Sequence, residues 1–192
     1  MAWYGADPGG RNCFGLARLS KDGKFKTTLV SSVDESMDFI EQPTAIGIDC
    51  PLWWSSGKGG GRKADRWLRE TYGIHPGTVQ TVNALRGAVV VQGILLAMRV
   101  RARNPNVLIT ETHPKALLKA LKLRDWKVAA KHFRLDRKKP ATEHERDAIL
   151  SAVAAREGAR RKWTHDLSIK RNQSELDPKE IWFGPVNYWW PH

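Results

Sequence analysis

Residues 45–51 read Ala-Ile-Gly-Ile-Asp-Cys-Pro, a short apolar run that closes on an acid and is stopped by Pro51. An apolar run of this length, bounded by proline, is typical of a buried strand. An acid at the end of such a strand is costly to bury unless something cationic meets it. We therefore predict a strand over 45–50 that brings the carboxylate of Asp49 to the edge of a sheet.

Three further acids stand in similar settings. Asp7 follows the apolar run that begins at Trp3, Glu111 ends a second short apolar run, and Asp147 lies in a helical segment. Acids that converge from distant segments are what a divalent-metal site needs, and hard oxygen ligands select Mg²⁺ or Mn²⁺ rather than zinc. Each acid also has a structural alternative: Asp7 could cap a glycine turn, Asp49 the loop after it, and Glu111 could pair with a basic residue.

The order of the predicted elements indicates an α/β protein with a mixed sheet covered by helices. Two of its first three strands are joined by Lys-Asp-Gly-Lys at 21–24, a strong hairpin signal, and Thr142 with Glu145 forms a capping box before the helix that carries Asp147. Ligands of such sheets gather at the carboxyl ends of parallel strands, where Asp49 and Glu111 fall. The first three strands form an antiparallel meander. After it we predict a helix at 34–41, a strand at 45–50, and helices at 63–72 and 79–103. A strand at 107–110 and helices at 114–121 and 125–133 follow.

The charge of the chain favours a polyanionic partner. It has 192 residues and a net charge of +12, with 32 basic and 20 acidic residues. Between Arg99 and Lys139 there are thirteen Lys or Arg against three Asp or Glu, and a second basic cluster runs over 156–171. Nucleic acid is the first candidate and an acidic membrane surface the second. The alternative is a solvated surface with no partner.

Residues in and after the glycine-rich loop at 52–63 are candidates for nucleic-acid contact. Three arginines recur there at helical spacing and so share a face that suits phosphate oxygens. Two tryptophans in the loop could stack on bases. The alternatives are salt bridges to nearby acids for the arginines and loop packing for the tryptophans. The candidates are Arg62, Lys63, Arg66, Arg69, Trp53 and Trp54.

Two histidines lie near the acids. His144 is one helical turn before Asp147, so it could be a metal ligand, a hydrogen-bond partner of a ligand, a proton shuttle or simply an exposed helical histidine. His113 follows Glu111 by two residues and precedes Pro114, which begins a helix. A local role at that helix start is the simpler interpretation of His113.

Composition limits the class of protein. The longest apolar run, over 88–98, is interrupted by Gln92 and Gly93, so no membrane span is predicted. The N-terminus lacks the pattern of a signal peptide, and Cys13 and Cys50 do not suggest a disulfide framework. A cytoplasmic protein is the expectation. The aromatic tail at 181–192 could stack on bases, recruit a protein partner, or fold back on the core, and we expect the last.

Five motifs, in this order along the chain, resemble a family of predicted nucleases known as domain of unknown function 429. That family is placed in the ribonuclease-H-like superfamily, with Holliday-junction resolvases and transposases among its relatives. The resemblance covers residues 1–157, which it makes an RNase-H-like nuclease domain, and leaves 158–192 as a basic and aromatic extension. It rests on Gly5-Ala-Asp7, Ile46-Gly-Ile-Asp49-Cys-Pro51, Gly61-Arg62-Lys-Ala-Asp65-Arg66, Glu111-Thr-His113-Pro114 and His144-Glu-Arg-Asp147-Ala148.

The resemblance implies a five-stranded sheet of order 3-2-1-4-5, with Asp7 and Asp49 side by side and Asp147 supplied by the last helix. These three acids match the superfamily's metal-binding acids, and Glu111 would add a fourth ligand. The chain departs from the family pattern at Lys115, where an acid is common.

Two functions follow as hypotheses. The first is a Mg²⁺- or Mn²⁺-dependent nuclease in which Asp7, Asp49, Asp147 and Glu111 hold metal and His144 tunes water or product release. The second is a non-catalytic nucleic-acid-binding or adaptor subunit, because a fold does not determine a function. An ATP-dependent phosphotransferase is a weaker third, since the chain is too short for the two lobes that it would need.

Overall fold

Two parallel strands form the centre of the main sheet in a computed structural model, which describes residues 2–192. Strands β1 (Trp3–Asp7) and β4 (Ala45–Ile48) pair with Gly5 opposite Gly47 and Ala6 opposite Ile48. Their apolar side chains are almost wholly buried, as expected for strands covered on both faces.

The main sheet is mixed, and within residues 2–192 it has six strands. Their order is β3 (Phe25–Val30), β2 (Phe14–Leu19), β1, β4, β5 (Leu108–Glu111) and β7 (Val186–Asn187). The predicted α/β class, with a mixed sheet flanked by helices and the order 3-2-1-4-5 for its first five strands, is confirmed. The sixth strand was not predicted, and it comes from the C-terminal tail. Strand β2 is antiparallel to both of its neighbours, β1 and β3. Strand β5 is parallel to β4, and β7 is parallel to β5.

In the described part of the chain, six α-helices connect and cover these strands. The predicted helix over 79–103 begins eight residues later than expected. Val79 is buried, and its carbonyl accepts a hydrogen bond from Arg69 Nη1 at 3.1 Å, so this carbonyl is bonded outside any helix. The helices are α1 (Val33–Phe39), α2 (Lys63–Tyr72), α3 (Gly87–Arg103), α4 (Pro114–Ala120), α5 (Trp126–Phe133) and α6 (Glu143–Ala159).

Helix α6 lies directly on the centre of the sheet. Its N-terminus has the predicted capping box, in which Thr142 and Glu145 satisfy each other's backbone amides. A Cβ atom at Gly5 would lie 1.9 Å from the carbonyl oxygen of Ala148, and one at Gly47 would lie 2.1 Å from that of Ser151. Glycine in both strands therefore allows the helix backbone to touch the sheet.

The C-terminal tail folds back on the domain. Strand β7 pairs with β5, and a second, two-stranded sheet joins β6 (His165–Asp166) to β8 (Trp189–Trp190). Trp189 packs on Gly158 in α6. A Cβ atom at Gly158 would lie 1.9 Å from the indole ring of Trp189. Tyr188 and Trp190 are buried, whereas Trp182 is 61% exposed. The tail thus completes the main sheet.

In the part of the chain that the structure describes, none of the helices combines the length and apolarity needed to cross a membrane. Cys13 is exposed, Cys50 is buried, and both are free thiols.

Candidate functional site

A cleft of about 710 Å³ opens at the carboxyl ends of β1, β4 and β5. Asp7, Asp49, Asp147 and Glu111 all line it, so the structure brings the four predicted acids to one cleft from different elements. Asp7 ends β1, Asp49 follows β4 directly, and Asp147 lies near the start of α6. This is the edge at which ligands of α/β sheets gather.

Backbone contacts determine how these acids are delivered. The amide of Asp49 donates to the carbonyl oxygen of Ala6 at 2.8 Å, which extends the pairing of β4 with β1 by one residue. Gly15 in β2 lies opposite Asp7 and lets the backbone of His144 approach, because a Cβ there would lie 2.2 Å from the His144 carbonyl oxygen. The first turns of α6 are thereby placed over the end of β1.

Each carboxylate in the cleft has a basic partner. Nδ1 of His144 lies 2.6 Å from Oδ2 of Asp7. Nδ1 of His113 lies 3.4 Å from Oδ1 of Asp49. The guanidinium of Arg146 donates to Oδ1 of Asp147 through Nε at 2.8 Å.

These partners leave the cluster under-compensated. Burial, with the charges of Asp49 and Asp147, raises the pKa of Asp7 to about 9. Burial and Asp49 also raise the pKa of Asp147 to about 6, although Arg146 opposes this. Burial alone would lower the pKa of His113, but its hydrogen bond to Asp49 and the surrounding acids outweigh that effect and raise it. Burial and mutual repulsion therefore disfavour the simultaneous ionisation of these carboxyls.

The acids line the same cleft, but their carboxylates do not converge on one position. Across residues 2–192, no group of three or more His, Cys, Asp and Glu side chains is arranged so that it could hold a metal ion. Like charges that share a buried site repel one another, and here each is bonded to its own partner. The donor set itself consists of carboxylate oxygens, the chemistry that a hard divalent cation prefers.

Glu111, the fourth predicted acid, also lines the cleft, but its carboxylate is already hydrogen-bonded to other residues of the protein. It is 2% exposed and accepts from Arg62 Nη1 at 2.7 Å and from Arg62 Nη2 at 2.5 Å. The amide of Leu52 donates to the same carboxylate at 2.9 Å. Of the alternatives for Glu111, the structure has the pairing with a basic residue.

Arg62 differs from the expectation of an exposed phosphate-binding stripe. Its side chain is 1% exposed, it also pairs with Asp65 through Nε at 2.8 Å, and it lies 4.2 Å over the ring of Trp53. A buried guanidinium that is shared by two carboxylates is unavailable to a ligand. The physical reason for the correction is that Arg62 precedes helix α2 and turns into the core, where it neutralises Glu111 and Asp65.

The other predicted contact residues are divided between core and surface. Trp53 is fully buried, and its Nε1 donates to Glu175 at 3.3 Å, so it packs the loop and does not face solvent. Arg69 is half-buried and bonded to the Val79 carbonyl. Lys63 and Arg66 are exposed, and half-buried Trp54 packs edge-on against the exposed Trp182 at 5.7 Å between ring centroids.

Several residues in or beside the cleft escaped the sequence-based prediction. Arg146 is adjacent in sequence to Asp147 and stands three residues after Glu143, a spacing that could have suggested its ion pairs with both. Lys115 pairs with Glu143 at 3.1 Å and lines the same cleft. Arg86, which precedes α3, also lines the cleft, and nothing in its local pattern signals this position.

Comparison with known proteins gives one family. Searches of curated proteins and of solved structures return no match. The model of a family described as "Protein of unknown function (DUF429)" matches residues 5–177, which run from within β1 through α6 and continue into the tail beyond the boundary predicted at 157. Because this match covers most of the chain, the protein belongs to the DUF429 family.

Proposed function

We propose that this protein is a nuclease that hydrolyses nucleic-acid phosphodiester bonds with the help of Mg²⁺ or Mn²⁺. The observation that carries the proposal is the convergence of Asp7, Asp49 and Asp147 from three separate elements in one cleft. The net charge of +12 supports a polyanionic substrate. We also assign the sheet to the RNase-H-like architecture, for which the order 3-2-1-4-5 and the adjacency of β1 and β4 are the support.

The proposed metal site consists of Asp7, Asp49 and Asp147, whose carboxylates would have to move closer together to share a cation. Their oxygen donors fit a hard divalent cation, and the repulsion that disfavours their simultaneous ionisation would be relieved by one. When bound, such a cation supplies Lewis-acid polarisation of the phosphoryl group and activation of water. Glu111 is assigned a supporting role in place of a ligand role, because Arg62 already neutralises it.

The residues around the acids have separate roles in the proposal. His144 uses Nδ1 to contact Asp7, which leaves Nε2 as the ring atom that can take up or release a proton during hydrolysis. Lys115 and Arg86 line the cleft and would neutralise phosphate oxygens of the substrate. Lys63, Arg66 and Trp54, at or near the surface beyond the cleft, remain candidates for contacts to the rest of the strand.

The test is cleavage of labelled single- and double-stranded DNA and RNA in Mg²⁺, in Mn²⁺ and in EDTA. Wild type is compared with Asp7→Asn, Asp49→Asn and the control Asp38→Asn, whose side chain is exposed on α1. We expect metal-dependent cleavage that is lost in the first two variants and kept in the control. Cleavage that survives in EDTA or in Asp49→Asn would contradict the proposal.

A non-catalytic nucleic-acid-binding protein is the second candidate. It is favoured by the pairing of each carboxylate with a histidine or arginine, which leaves the acids spread along the cleft. In that case no cleavage occurs under any of these conditions, and wild type, Asp7→Asn and Asp49→Asn bind nucleic acid with the same salt-sensitive affinity.

A further inference from the structure

A second cleft, of about 360 Å³, adjoins the first and shares Glu143 with it. It lies where the start of α5, the basic linker over 137–141 and the first turns of α6 come together. Its lining combines one aromatic ring, one hydroxyl, one carboxylate and two cations. These are Trp126, Thr142, Glu143, Lys139 and Arg146.

The aromatic ring of this cleft is fixed in position. Trp126 packs edge-on against Phe25 with 5.8 Å between ring centroids and an angle of 89°. Its Nε1 donates to the carbonyl oxygen of Lys138 at 2.9 Å. The ring is half-buried between these contacts, so a ligand that stacked on it would meet a surface that is already ordered.

The charges around the cleft favour an anion in spite of Glu143. That carboxylate is paired with Lys115 at 3.1 Å and with Arg146 at 3.0 Å. Lys139 is exposed and adds a third cation beside this pair. Arg146 is also bonded to Asp147, so the three cations face two carboxylates, and Lys139 is the one that forms no ion pair within residues 2–192.

We propose that the second cleft binds one nucleotide of an unpaired strand, with its base on Trp126 and its phosphate beside Lys139 and Arg146. This rests on the proposed function, and it adds that the substrate is single-stranded at the site of cleavage. Its volume lies near the lower end of the range of about 300–1,000 Å³ for pockets that bury small organic ligands, which suits one nucleotide unit. A base inside a duplex is stacked and paired, so it reaches such a pocket only after it has left the helix.

The test is equilibrium binding in EDTA, where hydrolysis does not intervene. Fluorescence anisotropy is recorded for one labelled single-stranded oligonucleotide, and the matching duplex, a dinucleotide and a mononucleotide are used as competitors. The variants are Trp126→Leu, Trp126→Phe and Lys139→Ala. Lys131→Ala is the control, because Lys131 is exposed on α5 and lines neither cleft. Far-ultraviolet circular dichroism and thermal melting confirm that each variant is folded.

We expect Trp126→Leu to weaken single-strand binding about tenfold, within the range for loss of one base–aromatic stack, and Trp126→Phe to restore most of it. Lys139→Ala should reduce the salt dependence of binding by about 0.7 in logarithmic slope, the value for one phosphate contact on a single strand. Lys131→Ala should bind like wild type. The duplex should compete much less well than the single strand.

Three results would overturn the inference. The first is equal binding by Trp126→Leu, Lys139→Ala and the Lys131→Ala control. The second is a duplex that competes as well as the single strand. The third is a mononucleotide that competes as well as the oligonucleotide, which would identify the ligand as a free nucleotide.

The inference and the proposed function fail separately. If Trp126→Leu and Lys139→Ala weaken strand binding but no metal-dependent cleavage is found, the nucleotide site stands and the nuclease does not. If cleavage depends on Asp49 while Trp126→Leu and Lys139→Ala leave strand affinity unchanged, the nuclease proposal is supported and the nucleotide site is not.

Discussion

Nδ1 of His144 lies 2.6 Å from Oδ2 of Asp7, and this contact joins strand β1 to the start of helix α6. The two residues are 137 positions apart in the chain. Asp7 is largely buried, whereas His144 is 41% exposed at its side chain, so one end of the pair faces the core and the other solvent. This single histidine does not compensate the cluster, because Asp49 and Asp147 act on the same carboxyl.

The first prediction is that Asp7→Asn stabilises the protein in EDTA. Burial and the two neighbouring carboxylates hold the pKa of Asp7 at about 9, so the folded state disfavours the charge that an unfolded chain carries at pH 7.5. A neutral amide of the same shape removes this penalty, and we expect a gain of about 1–3 kcal/mol. Thermal melting should show a rise of about 2–4 °C for each kcal/mol.

Divalent cation should reverse this order. Wild type should gain stability when Mn²⁺ is added, by about 2.7 kcal/mol at a concentration one hundred times the dissociation constant, and Asp7→Asn should gain much less. Asp38→Asn, on the exposed side of α1, is the matched control for loss of one acid. A lower melting temperature for Asp7→Asn in EDTA would show that the cluster is not under electrostatic strain.

The second prediction concerns Arg62, which the sequence suggested as a phosphate-binding residue. The structure places it in the core, paired with Glu111 and Asp65. Removal of its charge by Arg62→Met leaves Glu111 and Asp65 buried without a counter-charge. Loss of one partner of a buried ion pair typically costs about 3–5 kcal/mol. We therefore expect a fall in melting temperature of roughly 6–20 °C, at about 2–4 °C for each kcal/mol.

Arg66→Met provides the comparison, because Arg66 lies one turn further along α2 and is exposed. It should leave stability nearly unchanged and weaken nucleic-acid binding if the exposed face of α2 contacts phosphates. If Arg62→Met instead kept its stability and lost nucleic-acid affinity, the phosphate-binding role would be restored.

Sequence patterns were sufficient for the elements whose signal is local. The apolar runs that end in Asp7 and Asp49 predicted β1 and β4, since burial and strand length are read from a few adjacent residues. That the two strands lie side by side was implied by the family resemblance. The capping box of Thr142 and Glu145 predicted the start of α6 for the same reason. The catalytic roles assigned to the acids of the cleft stay predictions.

Features that depend on distant partners were not accessible from the sequence. Arg62 and Glu111 are 49 positions apart, and only the folded chain shows that they neutralise each other. Strand β7 is two residues long, too short for any periodicity, and it is defined by its pairing with β5. The chain over 79–86 has an apolar content compatible with an α-helix, but only Val82–Ala84 is helical, as a short 3-10 turn, and the Val79 carbonyl accepts from Arg69 instead of from a helix amide.

The third prediction tests the close approach of α6 to the sheet. Gly5→Ala would place a Cβ 1.9 Å from the carbonyl oxygen of Ala148, so backbone must move. Overpacking of this kind typically costs about 1–3 kcal/mol, and because the obstacle is main chain we expect a loss of at least about 3 kcal/mol. Gly10→Ala is the control, since a Cβ there meets nothing within 4 Å. Urea denaturation of the two variants measures the difference, and equal midpoints would mean that α6 is free to shift.

The fourth prediction is that docking of the tail is sensitive to acid through Asp166. Burial alone would raise the pKa of Asp166, but hydrogen bonds from Lys179, Ser168 and the amide of Tyr188 outweigh it and hold the pKa below its ordinary value. The distances are 2.7 Å from Lys179 Nζ, 3.0 Å from the Ser168 amide and 2.8 Å from the Tyr188 amide. A carboxyl whose pKa is depressed by folding contributes stability above its unfolded pKa of about 3.9 and loses it as pH falls through the folded value.

Asp166→Asn should therefore be less stable than wild type at pH 7, and the difference should shrink as the pH is lowered below about 4, where the unfolded carboxyl takes up its proton. Lys179→Met removes the cation from the same carboxylate and should reproduce much of this behaviour, whereas Lys21→Met, an exposed lysine of the β2–β3 hairpin, should not. Melting curves from pH 3 to 7 provide the measurement. A stability difference between wild type and Asp166→Asn that stayed constant over this range would mean that the ionised carboxylate does not hold the tail, and that the β5–β7 pairing and the packing of Trp189 on Gly158 suffice.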